Sequence, residues 1–128
     1  KLLRNQSPII NGDGEYSRDF THVKNIVNIN ILSILAEKSN ANIVYNAACG
    51  KRITLNELFK TLKKLLKKYD NSIEKINSIY GPYRVGDVPH SLASIEKAKK
   101  YLGYEPLCTF EEGIKESIEW YFNNFSKK

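Results

Sequence analysis

Two segments of the sequence contain residues that suit the binding of a charged ligand. Residues 12–20 read GDGEYSRDF, and residues 83–91 read YRVGDVPHS. Glycine permits tight turns and a close approach of the backbone to a ligand, and an Arg guanidinium can hold a diphosphate through two parallel hydrogen bonds. Asp87 follows Arg84 by three residues, and its carboxylate can accept hydrogen bonds from two sugar hydroxyls. The second segment therefore suits a nucleotide, with Arg84 for a pyrophosphate and Asp87 for a ribose.

Each Arg also has a simpler interpretation. Arg18 lies next to Asp19 and three residues after Glu15, so a surface ion pair with either carboxylate would account for it. Arg84 and Asp87 can pair with each other in the same way. The residue types alone leave both interpretations open for both segments.

The apolar pattern around the first segment predicts a strand, a turn and a helix. A short strand at residues 8–10 ends in the turn NGDG. A helix from residue 23 to about residue 38 follows, because apolar residues recur there at helical spacing: Val23, Val27, Ile31, Ile34 and Leu35. Ile26 and Ile29 lie off this stripe, so the helix is predicted to be buried on more than one side.

Two capping boxes mark further helices. Thr54 and Glu57 open one, and Thr109 and Glu112 open the last helix. The last helix has a predicted inward stripe of Phe110, Ile114, Ile118, Tyr121 and Phe125. The other predicted elements are a buried strand at residues 43–47, a strand at residues 76–80, and a short helix capped by Ser94 that ends at Gly103. Short strands alternating with about four helices indicate an α/β fold.

Composition fits one domain or a large part of one. The 128 residues are 41% hydrophobic, which is enough for a core, and no apolar run is long enough to span a membrane. The net charge of +6 permits nucleic-acid binding, but much of the excess Lys lies on predicted helix surfaces. Solvated helix faces are therefore the favoured interpretation. A basic nucleic-acid-binding module is a distant alternative, and we expect neither a nucleic-acid nor a membrane partner.

The number of Cys residues and the residues at the start of the sequence bear on the cellular context of the protein. Cys49 and Cys108 are too few for a disulfide framework, and the first residues show no signal-peptide pattern, so we predict free thiols in the cytoplasm. The sequence begins with Lys1, contains no Met, and opens like the tail of a helix. We therefore expect residue 1 to lie inside a longer protein.

Six motifs occur in an order typical of one protein family. They are GDG…RDFTHV, YNAACG, TLNEL, RVGDVPHS, KAKKYLGYEP and FEEGI. Together they resemble the C-terminal portion of UDP-glucose and UDP-N-acetylglucosamine 4-epimerases, which belong to the NAD-dependent epimerase/dehydratase family of extended short-chain dehydrogenases/reductases. The resemblance runs from about Ser7 to Phe125. It implies that residues 1–128 form a substrate-binding region without the glycine-rich Rossmann half.

The resemblance assigns a role to each candidate site residue. Arg18 and Arg84 match two Arg residues that contact the diphosphate, and Asp87 matches the carboxylate that binds the ribose. The others match positions around the nucleotide: Ile9, Ile10 and Asn11 as a strand edge offering backbone groups to uracil, Leu55 against the base, and Phe20 as a lining residue. The family's Asn-x-Gly turn matches at Asn46, but Ala48 stands in place of its Gly.

Ser91 matches the position beside the 2-substituent of the sugar. In the family, a large Tyr at this position restricts the substrate to plain hexoses, whereas a small residue leaves room for an N-acetyl group. The small Ser91 therefore implies a resemblance to the subgroup that accepts N-acetylhexosamines. The simpler interpretation is that Ser91 merely follows a turn.

Two family motifs are missing from the sequence. There is no G-x-x-G-x-x-G loop for NAD, and none of the eight Tyr residues has a Lys four positions later. We therefore expect this chain alone to bind no NAD and to be inactive. The resemblance implies a parent enzyme that uses NAD to remove a hydride from sugar C4 and return it to the other face, and that forms a homodimer. A 4,6-dehydratase or decarboxylase of the same family is the alternative.

Overall fold

Short strands and four α-helices alternate along the chain, as predicted. The structure is a computed structural model that describes residues 1–125, in which the strands are β1 (Ile9–Asn11), β2 (Ser17–Arg18), β3 (Ile53–Thr54) and β4 (Ile79–Gly81). The helices are α1 (Val23–Ile34), α2 (Leu55–Leu66), α3 (Glu96–Leu102) and α4 (Phe110–Phe125), with short 3-10 helices at Leu2–Arg4 and Asn71–Lys75. None of the described helices is long and apolar enough to cross a bilayer. The predicted α/β fold class is confirmed.

The strands form two small sheets. β1 and β4 pair in parallel, with Ile10 opposite Tyr80, whereas β2 and β3 are antiparallel, with Ser17 opposite Thr54. Gly14 lies in the turn between β1 and β2 and has a φ of +81°, a conformation that glycine adopts without steric cost. This turn carries the chain from the first sheet to the second, so residues 12–20 contain both the turn and strand β2.

Both predicted capping boxes are confirmed. The Glu57 N–H donates to Thr54 Oγ1 at 3.1 Å, and the Thr54 N–H donates to the Glu57 carboxylate at 2.7 Å. Thr109 and Glu112 form the same pair of bonds before α4. The backbone hydrogen bond to each carboxylate lowers the pKa of both Glu residues. Helices α2 and α4 then pack together around Leu2, Leu66, Ile73 and Ile118.

A second cluster joins α1 to α3. Its buried members are Ile29, Ala48, Ile95, Ala98 and Tyr104. Next to it, the buried amide of Asn25 accepts from the Cys108 N–H at 3.0 Å and donates to the Cys108 carbonyl at 2.7 Å. Cys49 and Cys108 are free thiols, as predicted, and burial raises the pKa of the Cys108 thiol.

The predicted burial of α1 is wrong on the side of its main stripe. Val23, Val27, Ile31 and Ile34, together with Leu35 just after the helix, have exposed fractions of 50–81%. The helix also ends at Ile34 and not near residue 38. Its buried residues are Ile29 and the polar Asn25. The helix therefore presents an apolar face that no other described part of the chain covers.

The predicted buried strand at residues 43–47 is also absent. These residues have no regular secondary structure, and Val44 is 84% exposed. Alternate residues are nevertheless partly buried, which is the pattern of an extended segment with one face against the protein. A strand requires a partner for its ladder hydrogen bonds, and no strand among residues 1–125 lies alongside.

Two further details of the sequence prediction need correction. The N-cap of α3 is Ile95 and not Ser94, whose carbonyl instead accepts from the Asn46 side chain at 3.0 Å. In α4, Tyr121 and Phe125 are more than half exposed, so only the first part of the predicted inward stripe is buried. Gly103 ends α3 with a left-handed conformation, as predicted.

Candidate functional site

The two segments singled out in the sequence lie side by side. The Ser17 N–H donates to the Pro89 carbonyl at 2.9 Å, and the Ser91 N–H donates to the Ser17 carbonyl at 3.1 Å. These bonds form a parallel bridge between Ser17 and His90. Because β3 occupies the other edge of β2, residues 89–91 act as a third, very short strand next to Arg18.

Arg18 is held by the second segment. Its guanidinium forms an ion pair with Asp87 and donates to the carbonyls of Ser17 at 2.9 Å and Pro89 at 3.3 Å. Its side chain and that of Asp87 are each about 30% exposed, so the pair is accessible from solvent. The alternative of a local ion pair is wrong for both segments, because Arg18 and Asp87 pair with each other across the fold.

Asp19 has a structural role of its own. Its carboxylate accepts hydrogen bonds from the backbone N–H groups of Cys49 at 3.0 Å and Gly50 at 2.8 Å. Ala48, two residues before Gly50, is buried, and its carbonyl accepts from the Tyr104 hydroxyl at 2.8 Å. Asp19 thus attaches the turn after residues 43–47 to the end of the first segment.

Tyr83 anchors the start of the second segment over the glycine turn. Its ring lies 5.3 Å from that of Tyr16. A Cβ on Gly12 would overlap the Tyr83 ring. The pKa of Asp13 is lowered by the backbone N–H of Glu15 and also by the Tyr83 hydroxyl. The same hydrogen bond to Asp13 raises the pKa of Tyr83. Glycine at position 12 is therefore required for this close packing.

Four of the predicted base-binding residues line one cavity. Ile9, Ile10, Asn11 and Leu55 border an apolar hollow of about 400 Å³ between β1 and α2. This volume lies within the usual range of small-molecule sites. The Leu55 N–H donates to the Tyr16 carbonyl at 3.1 Å, and Thr54, next to Leu55, lies opposite Ser17. The cavity is therefore connected to the Arg18 site through β2 and β3.

The remaining candidates are placed differently. Phe20 packs on Phe110 at a ring distance of 5.9 Å and lines a separate hollow with His22 and Gly113. Its role as a nucleotide-lining residue stays a prediction. The side chain of Arg84 is exposed and forms no ion pair within residues 1–125. Ser91 is exposed, with its backbone fixed on Ser17.

Sequence reasoning assigned no site role to Ser17, His90 or Asp19. Ser17 is only 4% exposed, and its hydroxyl lies 2.9 Å from His90 Nδ1. All three residues lie within the two segments that the sequence singled out. Their partners could not be predicted from the sequence, because each partner is at least 30 residues away in the chain. Among the described residues, no group of three or more His, Cys, Asp or Glu side chains could hold a metal ion.

The α/β arrangement of short strands and four helices matches the C-terminal region of extended short-chain dehydrogenase/reductase structures. The chain belongs to the family described as GDP-mannose 4,6 dehydratase, whose model matches residues 1–117. The resemblance to the C-terminal portion of NAD-dependent epimerases and dehydratases is thereby confirmed.

Curated relatives include both reaction types. A UDP-glucuronate 4-epimerase of Thermodesulfobacterium geofontis is 34% identical over 122 residues, which cover 94% of this chain and 35% of the relative. A dTDP-D-glucose 4,6-dehydratase of Mus musculus is 31% identical over 127 residues, covering 97% of this chain and 34% of the relative. The chain thus spans about a third of the length of the curated relatives that it matches.

Solved structures give the same picture. A UDP-glucose 4-epimerase of Thermotoga maritima, in complex with UDP-glucose, has a TM-score of 0.83 and 38% identity, covering 95% of this chain and 37% of that one. A UDP-N-acetylglucosamine 4-epimerase of Methanobrevibacter ruminantium M1, in complex with UDP-N-acetylmuramic acid, has a TM-score of 0.84 and 37% identity. The match covers 97% of this chain and 37% of that one. MoeE5, in complex with UDP-glucuronic acid and NAD, has a TM-score of 0.80 and 28% identity, covering 96% and 39%.

Proposed function

We propose that this chain is the UDP-sugar-binding part of a longer, NAD-dependent UDP-sugar 4-epimerase. The observation that carries the proposal is the pairing of residues 12–20 with residues 83–91, which brings Arg18, Asp87 and Ser91 together. The similarity to epimerases that were solved with UDP-sugars supports the same assignment.

The ion pair between Arg18 and Asp87 provides a way to bind a nucleoside diphosphate. A diphosphate carries more charge than one carboxylate, so it can replace Asp87 as the main partner of the guanidinium. Asp87 is then free to accept hydrogen bonds from the ribose hydroxyls. Arg84 approaches the phosphates from the same loop, because the Asp87 N–H donates to the Arg84 carbonyl at 3.2 Å and forms a tight turn. The uracil ring occupies the apolar cavity next to Leu55.

The residues of this chain do not fit NAD. The sequence has no glycine-rich loop opening a helix after a strand, which is the arrangement that holds a dinucleotide pyrophosphate. We therefore assign NAD, which would accept and return a hydride, to the remainder of the longer protein. The part played by this chain is to bind the nucleotide and orient the sugar.

A 4,6-dehydratase is the second candidate. The name of the matching family model and the mouse relative both favour it. The two reactions differ at the sugar and not at the nucleotide, so the nucleotide contacts proposed above would serve either enzyme.

The proposed function is tested on the longer protein that contains this chain. Supplied with NAD and either UDP-glucose or UDP-N-acetylglucosamine, it is expected to produce the corresponding 4-epimer. Chromatography and NMR of the sugar detect this product. The 128-residue chain, assayed alone, is expected to give no product. Loss of water from the sugar in place of epimerisation would assign the protein to the dehydratases. Activity of the 128-residue chain alone would contradict the division of roles.

We also propose that the uncovered face of α1 and residues 43–47 pack against the NAD-binding part of the same protein. The apolar stripe of α1 is exposed, and the extended residues 43–47 have a free edge within the described chain. Both lie in the same part of the fold, because Leu32 of α1 and Tyr45 pack against one core cluster. Since the chain spans about a third of its relatives, the rest of such a protein is large enough to cover this face.

The packing proposal predicts an unequal effect of two neighbouring charges in the longer protein. Ile31→Asp removes about 1.5–3 kcal/mol of apolar burial and places a carboxylate in the interface, so the free energy of unfolding should fall by at least about 2 kcal/mol. Asn30→Asp adds the same charge at the preceding exposed position and removes only the exposed bond from the Asn30 amide to the Ile26 carbonyl, so it should lower the free energy of unfolding by no more than about 1 kcal/mol. Denaturant unfolding measures both, and equal small effects would mean that α1 faces solvent.

A further inference from the structure

The contact between the side chains of His90 and Ser17 depends on residue identity, as does the Arg18–Asp87 ion pair. The two backbone bonds between Ser17 and residues 89 and 91 would form with almost any sequence. In contrast, the 2.9 Å contact between Ser17 Oγ and His90 Nδ1 requires a hydroxyl on one segment and, on the other, a side chain that places a hydrogen-bonding atom at the position of Nδ1. It forms between one almost fully buried residue and one exposed residue.

This contact lies at the centre of the proposed site. Ser17 immediately precedes Arg18, and its carbonyl accepts from both the Arg18 guanidinium and the Ser91 N–H. His90 lies between Pro89, whose carbonyl also accepts from Arg18, and Ser91. A shift of one residue between the two segments would therefore move Arg18 and Ser91 relative to each other.

The second segment has few other restraints after Tyr83. Gly86 has a φ of +78° and open space around its Cα, and Val85 is fully exposed. The Arg18–Asp87 ion pair cannot hold the loop when the diphosphate replaces it. The loop then keeps its position through the two backbone bonds and through the bond from Ser17 to His90.

We propose that His90 is a positioning residue for nucleotide-sugar binding. Through Nδ1 and the Ser17 hydroxyl, it holds residues 83–91 in the register that lets Arg18, Asp87 and Ser91 act on one ligand. The inference rests on the proposed function. It assigns no direct contact between His90 and the ligand.

The test measures the dissociation constant for UDP in the longer protein by calorimetry. Loss of one neutral hydrogen bond should weaken UDP binding by about 2- to 10-fold in both Ser17→Ala and His90→Phe. The double variant should bind UDP no more weakly than either single variant, because both remove the same bond. Ser72→Ala, which removes a hydroxyl bonded to Asp70 and Asn5 outside these segments, is the control and should leave UDP binding unchanged.

Two conservative variants separate positioning from direct contact. The amide of Asn reaches the place of the imidazole Nδ1, whereas that of Gln reaches the place of Nε2. His90→Asn should therefore retain most of the affinity, and His90→Gln should lose it. The reverse order would mean that His90 contacts the ligand through Nε2 and would overturn the inference.

The remaining outcomes are also decisive. If UDP binding is unchanged in His90→Phe and Ser17→Ala but weakened in Arg84→Ala, the proposed function stands and the role of His90 is wrong. If the unsubstituted protein does not bind UDP, both fail. Thermal unfolding of each variant, with and without UDP, identifies any variant that does not fold. If His90→Phe does not fold, the affinity of Ser17→Ala for UDP decides whether the proposed role of His90 stands.

Discussion

Arg84→Ala in the longer protein is expected to raise the Michaelis constant for its UDP-sugar by about ten-fold or more. Arg84 is exposed and forms no ion pair among the described residues, so its removal leaves no buried charge behind. A charge-assisted hydrogen bond contributes roughly 1.5–3 kcal/mol, and each 1.4 kcal/mol corresponds to about a factor of ten. Steady-state kinetics with saturating NAD measure the effect. An unchanged constant would mean that Arg84 is only a surface residue.

A stability variant provides the comparison. Ile73 is 1% exposed, lies in the core between α2 and α4, and does not line the apolar cavity. Ile73→Ala should lower the free energy of unfolding by about 2–5 kcal/mol without changing the Michaelis constant of molecules that remain folded. Leu62 is unsuitable for this purpose because it lines the apolar cavity as well as the core.

Arg18 should respond differently from Arg84. Arg18→Ala removes a proposed diphosphate contact and also leaves Asp87 without its ion-pair partner. The carboxylate would then face the phosphates unneutralised, so the loss of affinity should exceed that in Arg84→Ala. This contrast between the two Arg residues follows from the structure and could not be stated from the sequence.

Local features of the fold were predictable from the sequence. The capping boxes at Thr54 and Thr109 and the left-handed Gly103 depend on residues within a few positions of each other. The Gly, Arg and Asp content of residues 12–20 and 83–91 was likewise recognisable, and it marked them as candidate ligand-binding segments. Each of these signals is carried by short-range chemistry, which the sequence displays directly.

Tertiary pairing and burial could be predicted less well from the sequence. The partner of Arg18 is 69 residues away, and no periodicity links the two positions. The apolar stripe of α1 predicts burial, but the stripe is exposed among the described residues, because periodicity cannot say which part of a protein provides a covering surface. Residues 43–47 have a strand-like apolar sequence, yet a strand forms only when another strand pairs with it.

We expect the choice of sugar to depend on Ser91, and a substitution at this position is predicted to have the largest effect on specificity. The Ser91 backbone is fixed by its bond to the Ser17 carbonyl, so a larger side chain at this position cannot be accommodated by moving the chain without breaking the segment pairing. Ser91→Tyr should fill the space that the acetamido group requires. Overpacking typically costs about 1–3 kcal/mol, which corresponds to a loss of about 5- to 150-fold in relative specificity for the acetylated sugar.

The quantity to measure is the ratio of kcat/KM for UDP-N-acetylglucosamine to that for UDP-glucose, before and after the substitution. Turnover of UDP-glucose should survive in Ser91→Tyr, because a 2-hydroxyl leaves room for the ring. Ser39→Tyr makes the same change at an exposed turn after α1 and should leave the ratio unchanged. A ratio that also stays constant in Ser91→Tyr would mean that Ser91 does not line the sugar site. The proposed preference for N-acetylhexosamines would then have no support in this chain, while the proposed nucleotide contacts of Arg18, Arg84 and Asp87 would be unaffected.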